Sequence, residues 1–298
     1  MFWAILLQIC LYFAIVALVA YWILPSHVDV EKYFHNKVVW ITGASSGIGR
    51  ELVKQLARHS PTTRLVLSAR RENELHNLAR ELNLDFEHCL VLPLDLELQY
   101  DCFKSKVDLV LERFGQIDIL INNAGISQRS FIHETGYNVD SRLMNINYLG
   151  TITLSKTILQ HFIERQKGQF VVVTSAAGYM GSALRSSYAA SKHALHGFFD
   201  SLRLEHAHDN IDVTIVCPGF VRTSISQNAF VGSGLPYGKM DPKTEKGTDP
   251  SKCADDIILG IANREHEVYV GYLASPLIYL RRFFPRILHF VLLRVKST

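Results

Sequence analysis

Tyr188 and Lys192 stand four residues apart in Ser186-Ser187-Tyr188-Ala189-Ala190-Ser191-Lys192, a stretch that reads as helix. At that spacing two side chains lie one above the other on one helical face. An ammonium beside a phenol favours the phenolate, which draws a tyrosine pKa down from its reference of about 10. A phenol tuned in this way gives or takes a proton during a reaction. Tyr-x-x-x-Lys also occurs on plain surface helices, so its meaning depends on what the rest of the chain supplies.

A second stretch suits a phosphate. Residues 37–42 read as a buried strand and run into Gly43-Ala44-Ser45-Ser46-Gly47-Ile48-Gly49, followed by a helical pattern over 50–58. Strand, glycine turn and helix bring backbone amides and a helix N-terminus to a pyrophosphate. The spacing is Gly-x-x-x-Gly-x-Gly, not the commoner Gly-x-Gly-x-x-Gly. The next strand, 64–68, ends in Ala69-Arg70-Arg71. Folds that bind NAD commonly place an acid there for the ribose 2′-hydroxyl. Two arginines suit a 2′-phosphate instead, by charge and bidentate geometry. NADP(H) is therefore favoured, with NAD(H) left open.

The elements that must position these residues alternate. Further strands are expected over 88–96, 117–121, 170–174, 212–217 and 267–270. Helices are expected over 72–82, 98–114, 137–164, 188–208 and 251–263. That order predicts an α/β fold, a three-layer Rossmann-like doubly wound parallel sheet of about seven strands. Ligands in such folds bind at the carboxyl ends of the strands. Asp95, the run Asn122-Asn123-Ala124-Gly125, and Pro218-Gly219 all lie at such ends. Residues 224–250 lose apolar periodicity and gain Gly232, Gly234, Gly238, Pro236 and Pro242. A loop of that length favours a functional role. Phe220, Phe230, Leu235, Tyr237 and Met240 suit the lining of an apolar pocket.

The chain has 298 residues, is 48% hydrophobic and carries +3. That is enough apolar residue for one large domain. Residues 2–24 contain no charge. A run of about 20 such residues can span a bilayer as a helix. A cleaved signal peptide is the alternative, but no basic residue precedes the run and no Ala-x-Ala follows it. Lys32 and Lys37 after the span favour a cytosolic domain. Residues 276–296 mix apolar side chains with Arg281, Arg282, Arg286, Arg294 and Lys296. Without those five the 31 basic residues fall to 26 against 28 acidic. The body is thus near neutral, with no basic surplus for nucleic acid, and the tail carries the excess. Such a segment suits an anionic bilayer surface, or a packed terminal helix with a wet basic side. Pro285 should interrupt it. The division is a 1–24 anchor, a 25–36 connector, a 37–271 catalytic domain with a lid over 224–250, and a 272–298 tail. Cys10, Cys89, Cys102, Cys217 and Cys253 show no metal or redox spacing and read as small hydrophobes.

Four motifs in order carry a resemblance. Thr42-Gly43-x-x-x-Gly47-x-Gly49, Asn122-Asn123-Ala124-Gly125, Tyr188-x-x-x-Lys192 and Pro218-Gly219 resemble the short-chain dehydrogenase/reductase superfamily from about residue 38 to 270. The anchor, Ser-Ala-Arg-Arg and Asn-Tyr-Leu-Gly resemble the membrane-associated member-7 branch, which implies a single-pass protein of the endoplasmic reticulum membrane. The resemblance implies an NAD(P)-dependent alcohol dehydrogenase or carbonyl reductase. Its catalytic group would be Asn147, Ser175, Tyr188 and Lys192. Ser175 would hydrogen-bond the substrate carbonyl. Tyr188 would be acid in reduction and base in oxidation. Lys192 would lower the phenol pKa and hold the nicotinamide ribose, and Asn147 would position a water for proton relay. Gly43, Ser45, Ser46, Gly47, Ile48 and Gly49 would face the pyrophosphate. Asp95 and Leu96 would flank the adenine, with Asn123, Ala124 and Gly125 nearby. Pro218, Gly219, Val221 and Thr223 would meet the nicotinamide side. Dimers or tetramers through 137–164 and 188–208 are implied. Anchor, tail and lid together suggest an apolar substrate, such as a steroid, a retinoid or a lipid aldehyde or ketone. A nucleotide-binding membrane scaffold without turnover is the reading from another class.

Overall fold

The computed structural model describes residues 8, 10, 12, 13, 28–97, 100–271 and 274–294. A short helix α1 (Val30–Phe34) leads into β1 (Val38–Thr42), α2 (Gly47–His59), β2 (Arg64–Ser68), α3 (Glu72–Glu81) and β3 (Cys89–Val91). Next come α4 (Phe103–Phe114), β4 (Ile119–Asn122), α5 (Tyr137–Met144), α6 (Gly150–Arg165), β5 (Gly168–Val173) and α7 (Ser186–Glu205). The chain closes with β6 (Ile211–Pro218), α8 (Pro242–Glu245), α9 (Pro250–Ala262), β7 (Glu267–Val270), α10 (Ala274–Phe283) and α11 (Pro285–Arg294). The seven strands form one parallel sheet in the order β3-β2-β1-β4-β5-β6-β7. The order reverses between β1 and β4, and a crevice opens at such a switch point.

Alternate residues of each strand face opposite layers. On one side Trp40, Leu120, Phe170 and Ile215 pack with Val107 and Val110 of α4, Ile158 and Phe162 of α6, and Phe199 of α7. On the other, Ile41, Leu67, Ile121 and Val171 pack with Leu52 and Leu56 of α2, Leu75 of α3, and Ile257 and Ile261 of α9. Each such side chain stabilises the fold by roughly 1.5–3 kcal/mol relative to exposure. Both faces of the strands are therefore apolar, which explains why they read as continuous hydrophobic runs.

Four local expectations differ from what forms. The single helix read over 137–164 is broken by a π-helical turn, Asn145–Leu149. Strand β3 stops at Val91, two residues before Pro93. Of the cysteines, Cys102 is exposed while Cys89, Cys217 and Cys253 are buried. Phe230, expected as loop lining, is buried in a cluster with Ile126, Val139, Leu143 and Ile146.

The anchor read over 2–24 falls almost wholly outside the described residues. Among the described residues no helix is long and apolar enough to cross a membrane. The tail forms α10 and α11, with Pro285 at the first position of the second helix. Ile278 and Leu288 are buried against the domain. Phe283, Phe284, Ile287, Phe290 and Leu293 are exposed.

Candidate active site

The glycine turn is fastened from the neighbouring strand. Thr42 Oγ1 accepts from the backbone N–H of Asn123 at 3.0 Å and of Ala124 at 3.1 Å. Asn123 Nδ2 donates to Thr42 O at 2.9 Å, so this side chain holds the turn in shape. Gly43 (φ 68°) and Gly47 (φ 56°) occupy the left-handed region that favours glycine. Gly49 serves a different need. A Cβ there would lie 2.4 Å from Gly43 O and 2.5 Å from Asn123 Nδ2.

Ser46 is the N-cap of α2, yet its side chain makes no cap hydrogen bond. The first-turn N–H groups of Gly47 to Gly49 thus take no side-chain oxygen, and the helix end suits an anion. Thr223, from the loop after β6, closes on this turn, its methyl 3.1 Å from the Cβ position of Gly47. Ser45 Oγ accepts from Arg71 Nη2 at 3.1 Å, which holds one guanidinium at the rim of the turn. Arg70 is exposed beside it.

The other proposed contacts occupy neighbouring strand ends. Asp95 Oδ1 accepts from Glu97 N at 2.9 Å beyond β3. Leu96 is buried against the start of α6, where a Cβ on Gly150 would lie 2.2 Å from Leu96 O. Gly219 N donates to Val270 O at 3.0 Å at the end of β6, and this bond turns Pro218-Gly219 towards β7. Val221 is buried and pairs with Thr248 across the base of the lid.

Two of the four catalytic candidates, Asn147 and Lys192, meet at Gly125, and the other two, Ser175 and Tyr188, lie beside each other next to Lys192. The Cβ position of Gly125 lies 3.2 Å from Asn147 Oδ1 and 3.5 Å from Lys192 Nζ. Asn147 is fully buried in the π-helical turn. Its Oδ1 accepts from Ile126 N at 2.8 Å, and its Nδ2 donates to Ile126 O at 2.9 Å and to Ser191 Oγ at 3.0 Å. The extra backbone residue of a π turn accompanies this two-way side-chain pairing, as such turns often do at functional sites. Lys192 Nζ donates to Val173 O at 2.8 Å and lies 5.9 Å from the centre of the Tyr188 ring. Ser175 follows β5, accepts from Ala177 N at 3.2 Å, and lies beside the Tyr188 phenol, where its hydroxyl favours the phenolate.

The electrostatics are not those the helical spacing alone predicts. Burial pushes the Tyr188 phenol up. The groups that oppose this are the Ser175 hydroxyl and the guanidinium charges of Arg185 and Arg129. Burial also pushes the Lys192 ammonium down to about 8.

One supporting residue, His196, carries no motif signal. His196 is buried, pushed down to about 4 by that burial, and its Nε2 lies 3.1 Å from Thr174 Oγ1. The Cβ position of Gly178 is 2.7 Å from the same nitrogen, so the imidazole packs on the turn that carries Ser175. Four residues separate it from Lys192, and that spacing was the available clue.

A family model described as short chain dehydrogenase matches residues 37–232. The chain belongs to the short-chain dehydrogenase/reductase family. It is 42% identical over 257 residues to the human dehydrogenase/reductase SDR family member 7, covering 84% of this chain and 75% of that one. It is 39% identical over 264 residues to member 7B of Xenopus tropicalis, covering 86% and 84%. A Sphingobium yanoikuyae short-chain dehydrogenase, solved with NADPH, superposes with a TM-score of 0.68 at 26% identity, covering 88% and 97%. A Burkholderia phymatum family structure, solved with NAD, superposes with a TM-score of 0.75 at 22% identity, covering 86% and 96%. This chain is an NAD(P)-dependent dehydrogenase of that family. The residues present fit a nicotinamide dinucleotide: an uncapped helix start, a glycine cradle closed by Thr223, and a buried phenol and ammonium two strands away, at the end of β5.

Proposed function

We propose that this chain is a membrane-associated, NADP(H)-preferring enzyme that interconverts an apolar alcohol and its carbonyl. The observation that carries the reading is the continuity of the four side chains: Asn147 and Lys192 at Gly125, Lys192 beside the Tyr188 ring, and Ser175 beside the Tyr188 phenol. When bound, the nicotinamide supplies or accepts the hydride. Ser175 holds the substrate oxygen as charge builds on it. Tyr188 donates a proton to that oxygen in reduction and removes it in oxidation. Lys192 has its ammonium within the buried site, where it restores charge balance and holds ribose hydroxyls. Asn147 fixes the segment at Ile126 and links the Lys192 side to the helix interior through Ser191. The test is turnover of steroid, retinoid and lipid carbonyls with each cofactor; turnover of small polar carbonyls alone sinks the substrate reading.

Preference for NADP(H) rests on Arg71 beside Ser45 and on Arg70 next to it. Replacing both arginines with Asp is expected to lower kcat/KM for NADPH by about 10- to 100-fold, as for lost charged hydrogen bonds. The value for NADH should change little. Equal losses with both cofactors would assign the arginines to structure.

Membrane association rests on the charge-free run over 2–24 and on α10 and α11. Their exposed Phe283, Phe290 and Leu293 alternate with Arg281, Arg282, Arg286 and Arg294. A chain beginning at residue 28 is expected to sediment with anionic vesicles. Phe290→Glu with Leu293→Glu should weaken that binding about tenfold or more, from the loss of two apolar side chains. Vesicle binding unchanged by the pair would move the contact to another surface of the domain, and no binding by the shortened chain would leave the anchor as the sole membrane contact. The endoplasmic reticulum, a cytosolic catalytic domain, and pairing of copies through α5–α6 and α7 complete the proposal.

A further inference from the structure

A buried ionic cluster joins the lid to the first turn of the catalytic helix. Asp241 Oδ2 accepts from Arg185 Nη2 at 2.6 Å and from Arg129 Nη2 at 3.2 Å. The side chains of Asp241 and Arg129 are 4% and 6% exposed, so these charges are out of water. Asp241 belongs to the lid, caps α8 by accepting from Lys243 N at 2.9 Å, and donates its own backbone N–H to Ser226 Oγ at 3.2 Å. Arg129 belongs to the loop after β4, and its backbone N donates to Phe230 O of the lid at 2.8 Å. Arg185 is the residue just before α7 and lies three positions from Tyr188. Gln128, next to Arg129, accepts from Ser187 N at 2.9 Å and so ties this loop to the same helix start.

We propose that Arg129 and Arg185 are positioning residues for proton transfer at Tyr188, and that the lid holds them there through Asp241. The proposal rests on the proton-transfer role of Tyr188 given above. Two guanidiniums share one carboxylate, so the cluster keeps one net positive charge. It lies at a helix N-terminus, whose dipole acts in the same direction. Both favour the phenolate in a site where burial disfavours it. Other groups face the phenol from each packed element: Ser175 after β5, Lys192 on α7 itself, and the two arginines. Asp140 of α5 bonds Ser187 one residue away. Lys192 Nζ also donates to Val173 O, and the guanidiniums of Arg185 and Arg129 add to its charge in offsetting burial of the phenol. A closed lid therefore sets the phenol for chemistry, and an open lid releases the arginines.

Tyrosinate difference absorbance against Tyr188→Phe reads this phenol directly, with and without saturating NADP+. Arg129→Gln and Arg185→Gln should each raise its midpoint by about one pH unit, the size of a partly screened charge at this range. Arg129→Lys should restore it. If Arg129→Gln fails to fold, Arg185→Gln decides, since that side chain is the more exposed of the two. Midpoints equal to wild type in the glutamine variants overturn the proposal. This readout needs no turnover, so it stands apart from any failure of the catalytic reading. Asp241→Asn should speed amide hydrogen exchange over residues 224–250 about tenfold, as for a loosened local unit. Unchanged exchange there removes the lid from the account.

Discussion

Tyr188→Phe is expected to lower kcat about a thousandfold or more, the upper range for a lost general acid or base. Cofactor affinity and folding should stay near wild type. The reason lies in how the ring is held. Tyr188 packs with Ala177 and Ala189, contacts that phenylalanine keeps. The change removes only the hydroxyl, which lies beside the Ser175 side chain. A buried polar pair loses one member, at a cost of about 1–3 kcal/mol of stability at most. Cofactor titration by fluorescence and a thermal melt check both controls. A variant that turns over within tenfold of wild type would place proton transfer on another group.

Gly49→Ala carries the second large effect, and two forces oppose each other there. Alanine is the better helix former by about 1 kcal/mol. Against this, its Cβ would sit 2.4 Å from a backbone oxygen that cannot rotate away. Overpacking of this kind costs about 1–3 kcal/mol, so the clash wins. The strain falls on Gly43 and Asn123, the residues that shape the phosphate turn. Cofactor binding should weaken about 10- to 100-fold, with kcat at saturation less affected. Gly197→Ala on α7 is the matched control. No atom lies within 4 Å of its Cβ position, so it should be neutral or slightly stabilising. Calorimetric titration of the two variants separates loop geometry from a general intolerance of alanine.

The fold was legible because both faces of the sheet are covered. Strands such as Val38–Thr42 carry apolar residues at every position but the last, and the glycine turn and helix that follow mark a mononucleotide unit. Tyr188 and Lys192 were legible as a pair by spacing, and Ser175 and Asn147 only through family resemblance. What the chain alone withheld was tertiary. The π-helical turn at Asn147 depends on Ile126, some twenty residues away. Lys192 faces the oxygen of Val173, on a strand whose register no local pattern reveals. Arg129, Arg185 and Asp241 are ordinary charged residues in sequence; folding alone brings them together in a dry place. Phe230 looked like pocket lining because a loop aromatic has no periodic partner, yet the lid tucks it under α5.

Hydride tracing tests the central claim most directly. NADPH deuterated at its transferable position would be incubated with the full chain and an apolar ketone or aldehyde. The product alcohol would then be examined by mass spectrometry. One deuterium on the carbinol carbon is predicted with the wild-type chain, and none above background with Tyr188→Phe. Alcohol formed without label, or equal labelling by the Tyr188→Phe variant, would contradict the assignment of this site.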